Sequence, residues 1–93
     1  MGCMSRKVVD VQVSGRVQGV FFRARCADEA RERGVTGWVR NEADGSVAGH
    51  FEGEAEAVDA LVEWCRDGSP RADVTDVRVT DGTDEHAEGF RAS

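Results

Sequence analysis

The chain has 93 residues, with twelve Lys or Arg against eighteen Asp or Glu, a formal net charge of −6, and a composition that is 40% hydrophobic and 32% charged. A chain of this size makes one domain and buries roughly 60–65% of its unfolded surface, which leaves no room for a separate cofactor domain. No apolar run approaches the roughly 20 residues of a membrane helix and no charged-then-apolar leader is present, so a cytoplasmic protein away from the membrane is expected.

Charge is unevenly spread. Residues 1–46 hold eight Lys or Arg against six acids, whereas residues 47–93 hold four against twelve. Residues 11–27 contain Arg16, Arg23 and Arg25 and no acid. A locally positive stretch in an acidic chain suits a small anion better than a nucleic acid, which would need an extended basic face with interleaved aromatics. Cys3, Cys26 and Cys65 form an odd set without C-x-x-C spacing, which speaks against a disulfide framework or a zinc site. Cys26 and Cys65 fall on apolar helix faces, where free cysteine packs as a small core residue.

In chain order, residues 1–6 are expected to be a flexible tail. Residues 7–14 alternate, with Val9, Val11 and Val13 on one side and Asp10, Gln12 and Ser14 on the other, which predicts a strand with one buried face. The stretch SGRVQGVFFR, residues 14–23, follows as a glycine loop leading into a helix over 21–33 that stops at Gly34. Residues 35–41 and 46–52 predict two strands, and Asp44-Gly45 marks the hairpin between them. Val58, Leu61, Val62 and Cys65 recur at helical spacing within 54–67, ahead of Gly68 and Pro70. Residues 74–80 alternate again, and Gly89-Phe90-Arg91 has room for only a short edge strand.

This order predicts an α+β fold, a ferredoxin-like βαββαβ sandwich with an antiparallel sheet and two helices on one face. In that topology the first two strands run parallel with the third between them. The chain after Ser14 and the chain at Asn41 therefore emerge at one end of the sheet, two strand spacings or roughly 9–10 Å apart. Gly15 and Gly19 permit backbone shapes that let loop N–H groups converge on an anion. Arg23 stands in the first turn of the helix, where a cation opposes the helix dipole unless an anion lies beside it.

Together GRVQGVFFR and GWVRN, residues 15–23 and 37–41, resemble the acylphosphatases, and the resemblance covers nearly the whole chain. It implies that Arg23 and the loop of Gly15, Arg16, Val17, Gln18, Gly19, Val20, Phe21 and Phe22 bind a phosphoryl group, while Asn41 orients the hydrolytic water. It also implies a small acyl phosphate as substrate, no metal or other cofactor, and a monomer. The ending GFRAS is shorter than the β-rich close of many members. The chemistry agrees with the residue types: a departing carboxylate is weakly basic and needs no general acid, and phosphoryl transfer asks mainly for positioning and charge stabilisation.

Elsewhere, Arg16 and Arg25 read as solvated or steering charges, Arg40 as surface, Trp38 and Trp64 as packing, and Gln18 as offering only its backbone N–H. His50 and His86 lack visible partners, and the acids after Asp81 read as a solvated edge. A non-catalytic module binding phosphate or carbamoyl phosphate is the second reading, since similar domains occur fused to larger maturation proteins. Binding of RNA on the sheet is disfavoured because the strands lack an aromatic platform.

Overall fold

The structure, a computed structural model, describes residues 5–18, 21–67 and 73–92. Seven elements follow one another: β1 (Arg6–Arg16), α1 (Phe22–Arg33), β2 (Thr36–Asn41), β3 (Val47–Glu54), α2 (Ala55–Asp67), β4 (Asp73–Asp81) and β5 (Phe90–Ala92). The sheet order is β4-β1-β3-β2-β5. β3 pairs antiparallel with both β1 and β2, so β1 and β2 run parallel, and β5 adds to β2 in parallel. The expected ferredoxin-like α+β sandwich is the fold, with a fifth strand at its edge.

Alternation assigns every strand residue to a face, because successive side chains point to opposite sides. Val9, Val11 and Val13 of β1 stand opposite Phe51, Gly49 and Val47 of β3, and these stand opposite Gly37, Val39 and Asn41 of β2. That set faces the helices. α1 contributes Phe22, Cys26, Ala27 and Ala30 to the shared core, and α2 contributes Val58, Leu61, Val62 and Cys65. The Phe22 and Trp64 rings meet at 5.4 Å, which joins the start of α1 to α2. Burying a side chain such as Phe22 contributes roughly 1.5–3 kcal/mol. α1 ends on Gly34, whose left-handed φ of 71° lets its N–H close on the carbonyls of Ala30 and Arg31.

Two differences from the sequence reading concern the strand ends. β1 starts at Arg6, inside the stretch expected as a tail, and runs on to Arg16, so Gly15 and Arg16 belong to the strand. The register slips between Ser14 and Gly15 against β4, and Gly15 takes φ 121° at this bulge. A Cβ there would lie 2.1 Å from the Asp73 carbonyl oxygen, so close backbone approach is what requires glycine.

A third difference lies on the face away from the helices. Residues 82–89 leave the β4 edge and cross to β5 at the opposite edge, forming a strap over the sheet. Gly82 N–H donates to the Val8 carbonyl at 3.1 Å at one end, and Gly37 N–H donates to the Gly89 carbonyl at 3.0 Å at the other. Beneath the strap His50 and Glu52 of β3 are fully buried. The acids after Asp81 are thus not simply a solvated edge.

Candidate active site

The site builds up from the helix-facing register. Val13 and Asn41 both stand opposite Val47, so Asn41 ends its strand two strand spacings, roughly 9–10 Å, from Val13 and on the same face. Val13 is three residues before the end of β1, after which the loop begins. Asn41 is exposed at this end of the sheet.

Within the loop, Val17 is buried and its N–H donates to the Gly15 carbonyl at 3.1 Å, a tight reversal directly after the strand. Gln18 then turns its side chain across to the β2–β3 hairpin. Its Nε2 donates to the carbonyl oxygens of Glu42 and Ser46, each at 2.8 Å. The expectation that Gln18 offers only its backbone is therefore corrected. The hairpin is itself well fixed: Glu42 N–H donates to the Ser46 carbonyl at 2.8 Å, and Asp44 Oδ1 accepts from Ser46 N–H at 2.9 Å and from its hydroxyl at 2.6 Å. These hydrogen bonds from Ser46 hold the Asp44 carboxyl below its usual range. Gly19 and Val20 lie outside the described residues.

Phe21 caps α1 with a left-handed φ of 63° and its ring is 68% exposed. Its carbonyl accepts the first helical bond, from Arg25 N–H at 3.0 Å. Among the described residues no side chain caps this helix start, and the first turn holds no acid. The N–H groups of a helix's first turn have no partner within the helix and carry the positive end of its dipole. Half-buried Arg23 stands in this turn and, with Val17, Phe21, Phe22, Ala24 and Ala92, lines a cavity of about 300 Å³. A cation, a helix N-terminus and an exposed carboxamide thus share one end and one face of the sheet, an arrangement that can bind a tetrahedral anion and present a water to it. Arg16, at the end of β1, is exposed.

A second polar cluster lies under the strap, and it corrects the reading of His50 as partnerless. His50 Nδ1 is 2.6 Å from Asp10 Oδ1 and its Nε2 is 2.5 Å from Glu52 Oε2. Both ring nitrogens face carboxylate oxygens, so the imidazolium, which donates from both, is the form that fits. Burial pulls the His50 pKa down, but the bonds to Asp10 and Glu52 and the charge of Glu85 outweigh it and leave it above the ordinary 6.5. For Glu52 burial pushes upward, and the His50 bond with the N–H groups of Glu85 and Ala87 outweighs it, leaving it below 4.5. Trp38 stacks on His50 at 5.8 Å, donates from Nε1 to Glu85 Oε1 at 3.1 Å, and carries the Arg40 guanidinium at 4.7 Å. Donor atoms of His50, Glu52 and Glu85 fall within 4.8 Å of one another, a spacing that could surround a cation. However, each Glu52 oxygen already accepts two donors, so this set fits an internal ion network better than a metal.

Fold and first site together define a small α+β sandwich with an anion-receptive helix start at one sheet end. The family model for acylphosphatase matches residues 9–92. A curated acylphosphatase of Haloquadratum walsbyi is 56% identical over 86 residues, covering 92% of each chain, and one of Nocardioides sp. is 55% identical over 85, covering 91% of this chain and 86% of the relative. Among solved structures, an acylphosphatase from Coxiella burnetii superposes with a TM-score of 0.90 at 38% identity, covering 95% of this chain and 93% of the other. That from Bacillus subtilis gives 0.89 at 38% identity, covering 96% and 99%. The chain belongs to the acylphosphatase family and is an enzyme of that family, which acts on small acyl phosphates. No helix among the described residues is long and apolar enough to cross a membrane.

Proposed function

We propose that the protein hydrolyses the carboxyl–phosphate bond of small acyl phosphates, with Arg23 and the backbone of the loop from Gly15 to Phe22 holding the phosphoryl group and Asn41 orienting the water. The observation that carries this reading is the Val13–Val47–Asn41 row, which gives Asn41 the same sheet end and face as the loop and Arg23. Gln18 links the two halves by its bonds to the hairpin that follows Asn41.

The guanidinium of Arg23 grips two phosphate oxygens, and N–H groups at the start of α1 meet the equatorial oxygens, where charge accumulates as the P–O bond lengthens. Asn41 accepts one water hydrogen through its carboxamide oxygen and so aims the water's lone pair in line with the leaving group. The water oxygen bonds to phosphorus, the bond from phosphorus to the acyl oxygen breaks, and the electron pair departs on a carboxylate. The water's proton passes to a phosphate oxygen or to solvent, since a carboxamide cannot take it. A carboxylate leaving group needs neither a general acid nor a metal to carry its charge. All these groups come from one chain, so the acting unit is read as a monomer, working in the cytoplasm.

Hydrolysis of benzoyl phosphate in the presence of EDTA tests the reading. Turnover is expected to be undiminished by the chelator. Bound phosphate without turnover would instead mark a non-catalytic anion-binding module.

A further inference from the structure

Residues 82–89 reach from one edge of the sheet to the other without regular structure; backbone bonds tie their two ends, and at their middle one buried carboxylate takes two of their N–H groups. Glu52 Oε1 accepts from Ala87 N–H at 2.9 Å and from Arg6 Nη2 at 3.0 Å, and Oε2 accepts from Glu85 N–H at 2.6 Å and from His50 Nε2 at 2.5 Å. Arg6 also grips Asp84 of the strap through Nε at 2.7 Å and Nη2 at 2.9 Å. Past the strap the chain enters β5, whose Phe90 packs on Phe51 with ring centroids 6.0 Å apart and whose Ala92 lines the cavity beside Arg23. β5 is three residues long. A strand that short has few ladder bonds of its own, so beyond the bond from Arg31 Nη2 to the Phe90 carbonyl at 2.8 Å its position depends on what ties the chain just before it.

We infer that Glu52 is a positioning residue for the substrate site: by pinning the strap through the N–H groups of Glu85 and Ala87, it helps to fix β5 and so keeps Ala92 in place as one wall of the open cavity beside Arg23. This rests on the reading of that cavity as the phosphoryl site. Loosening the pin lets β5 move away and opens the Arg23 side of the cavity further to water, which weakens the attraction between Arg23 and an anion. The loss therefore falls on substrate binding. Asn41, on the far side of β2 from the strap's anchor and held by the hairpin, keeps its place.

The pin also makes binding respond to pH. The groups facing His50 are Asp10 from β1, Glu52 from β3 and Glu85 from the strap, with Arg6 and Asp84 one contact further and Arg40 above the Trp38 ring that covers it. Loss of the imidazolium proton leaves one of its two carboxylate contacts without a donor and sets the His50 lone pair against carboxylate charge. The strap is then held less firmly as pH rises.

The test compares the full-length wild type with Glu52→Gln and with Arg6→Gln, the latter side chain being half exposed and remote from the core. Amide hydrogen exchange across residues 82–92 is followed beside kcat and KM for benzoyl phosphate from about pH 6 to 9, a range that extends upward from the ordinary imidazole value, the direction in which His50 is shifted. In Glu52→Gln, exchange in 82–92 should quicken roughly tenfold or more while that of β1 and β3 is unchanged, and KM should rise about fivefold or more with kcat within about twofold. Arg6→Gln should shift both in the same direction by less. The wild-type KM should rise towards high pH, and the Glu52→Gln value should not follow it. Unchanged exchange in both variants would show that Glu52 is not the pin, and quickened exchange with unchanged KM would show that the strap does not position the site. If the wild type did not hydrolyse benzoyl phosphate, the functional reading would fall, and the affinity for inorganic phosphate, measured in the same three proteins, would decide the positioning role instead.

Discussion

Gln18 Nε2 lies 2.8 Å from the carbonyl oxygen of Glu42, so the loop that follows β1 is tied to the residue directly after Asn41. The same amide nitrogen reaches the Ser46 carbonyl at 2.8 Å across the hairpin. The proposed phosphate loop and the proposed water-orienting residue are therefore held in register by a side chain rather than by the ladder alone.

Removing that tie tests its role. Gln18→Ala is expected to destabilise the fold by about 1–2 kcal/mol, since each lost bond is worth about 1 kcal/mol. It should lower kcat roughly tenfold through misalignment of water and phosphoryl group. Gln18→Glu should do more, because a carboxylate cannot donate and repels both carbonyls. Steady-state kinetics beside urea unfolding separate the two effects.

The glycines divide by what surrounds them. A Cβ at Gly15 would stand 2.1 Å from the Asp73 carbonyl oxygen and one at Gly37 would stand 1.7 Å from that of His50, both at positive φ. Gly45 has φ 94° but open space around it. Alanine at Gly15 or Gly37 should therefore cost about 3 kcal/mol or more, whereas at Gly45 it should cost only the left-handed penalty of about 1–2 kcal/mol. Urea midpoints of the three variants check the ranking.

The ion network under the strap makes stability depend on pH. The folded pKa of His50 is raised, so its contribution is complete below the ordinary 6.5 and is lost as pH rises through the folded value. The folded pKa of Glu52 is lowered, so its contribution is present above the ordinary 4.5 and is lost as pH falls through the folded value. For this cluster the maximum lies between those two ordinary values. Unfolding midpoints should decline above neutrality in the wild type, and His50→Gln should remove that slope while lowering stability throughout.

Most of the architecture was legible because its signals are local. Val9, Val11 and Val13 alternate, Val58, Leu61, Val62 and Cys65 recur at helical spacing, and Asp44-Gly45 marks a hairpin, so the order of elements and the placement of Asn41 near the loop followed from topology. What escaped depends on contacts between distant segments. His50 and Glu52 sit on the outward side of β3, which alternation assigns to solvent, and nothing in the irregular stretch 82–89 announces that it covers them. The nearest signal is a His and a Glu two apart on one strand face, matched by the long acidic segment that follows Asp81. Gln18 looked like a loop residue because its partners are backbone carbonyls, which leave no mark in a sequence.

The central claim is that Arg23 binds the phosphoryl group while Asn41 serves the attacking water. Inorganic phosphate affinity and benzoyl phosphate turnover, measured together on Asn41→Ala and Arg23→Ala, test it most directly. The expected result is an Asn41→Ala enzyme whose rate falls by roughly 10²–10³ while phosphate affinity stays within about threefold, beside an Arg23→Ala enzyme that loses both. Full activity in Asn41→Ala, or undiminished phosphate affinity in Arg23→Ala, would contradict it.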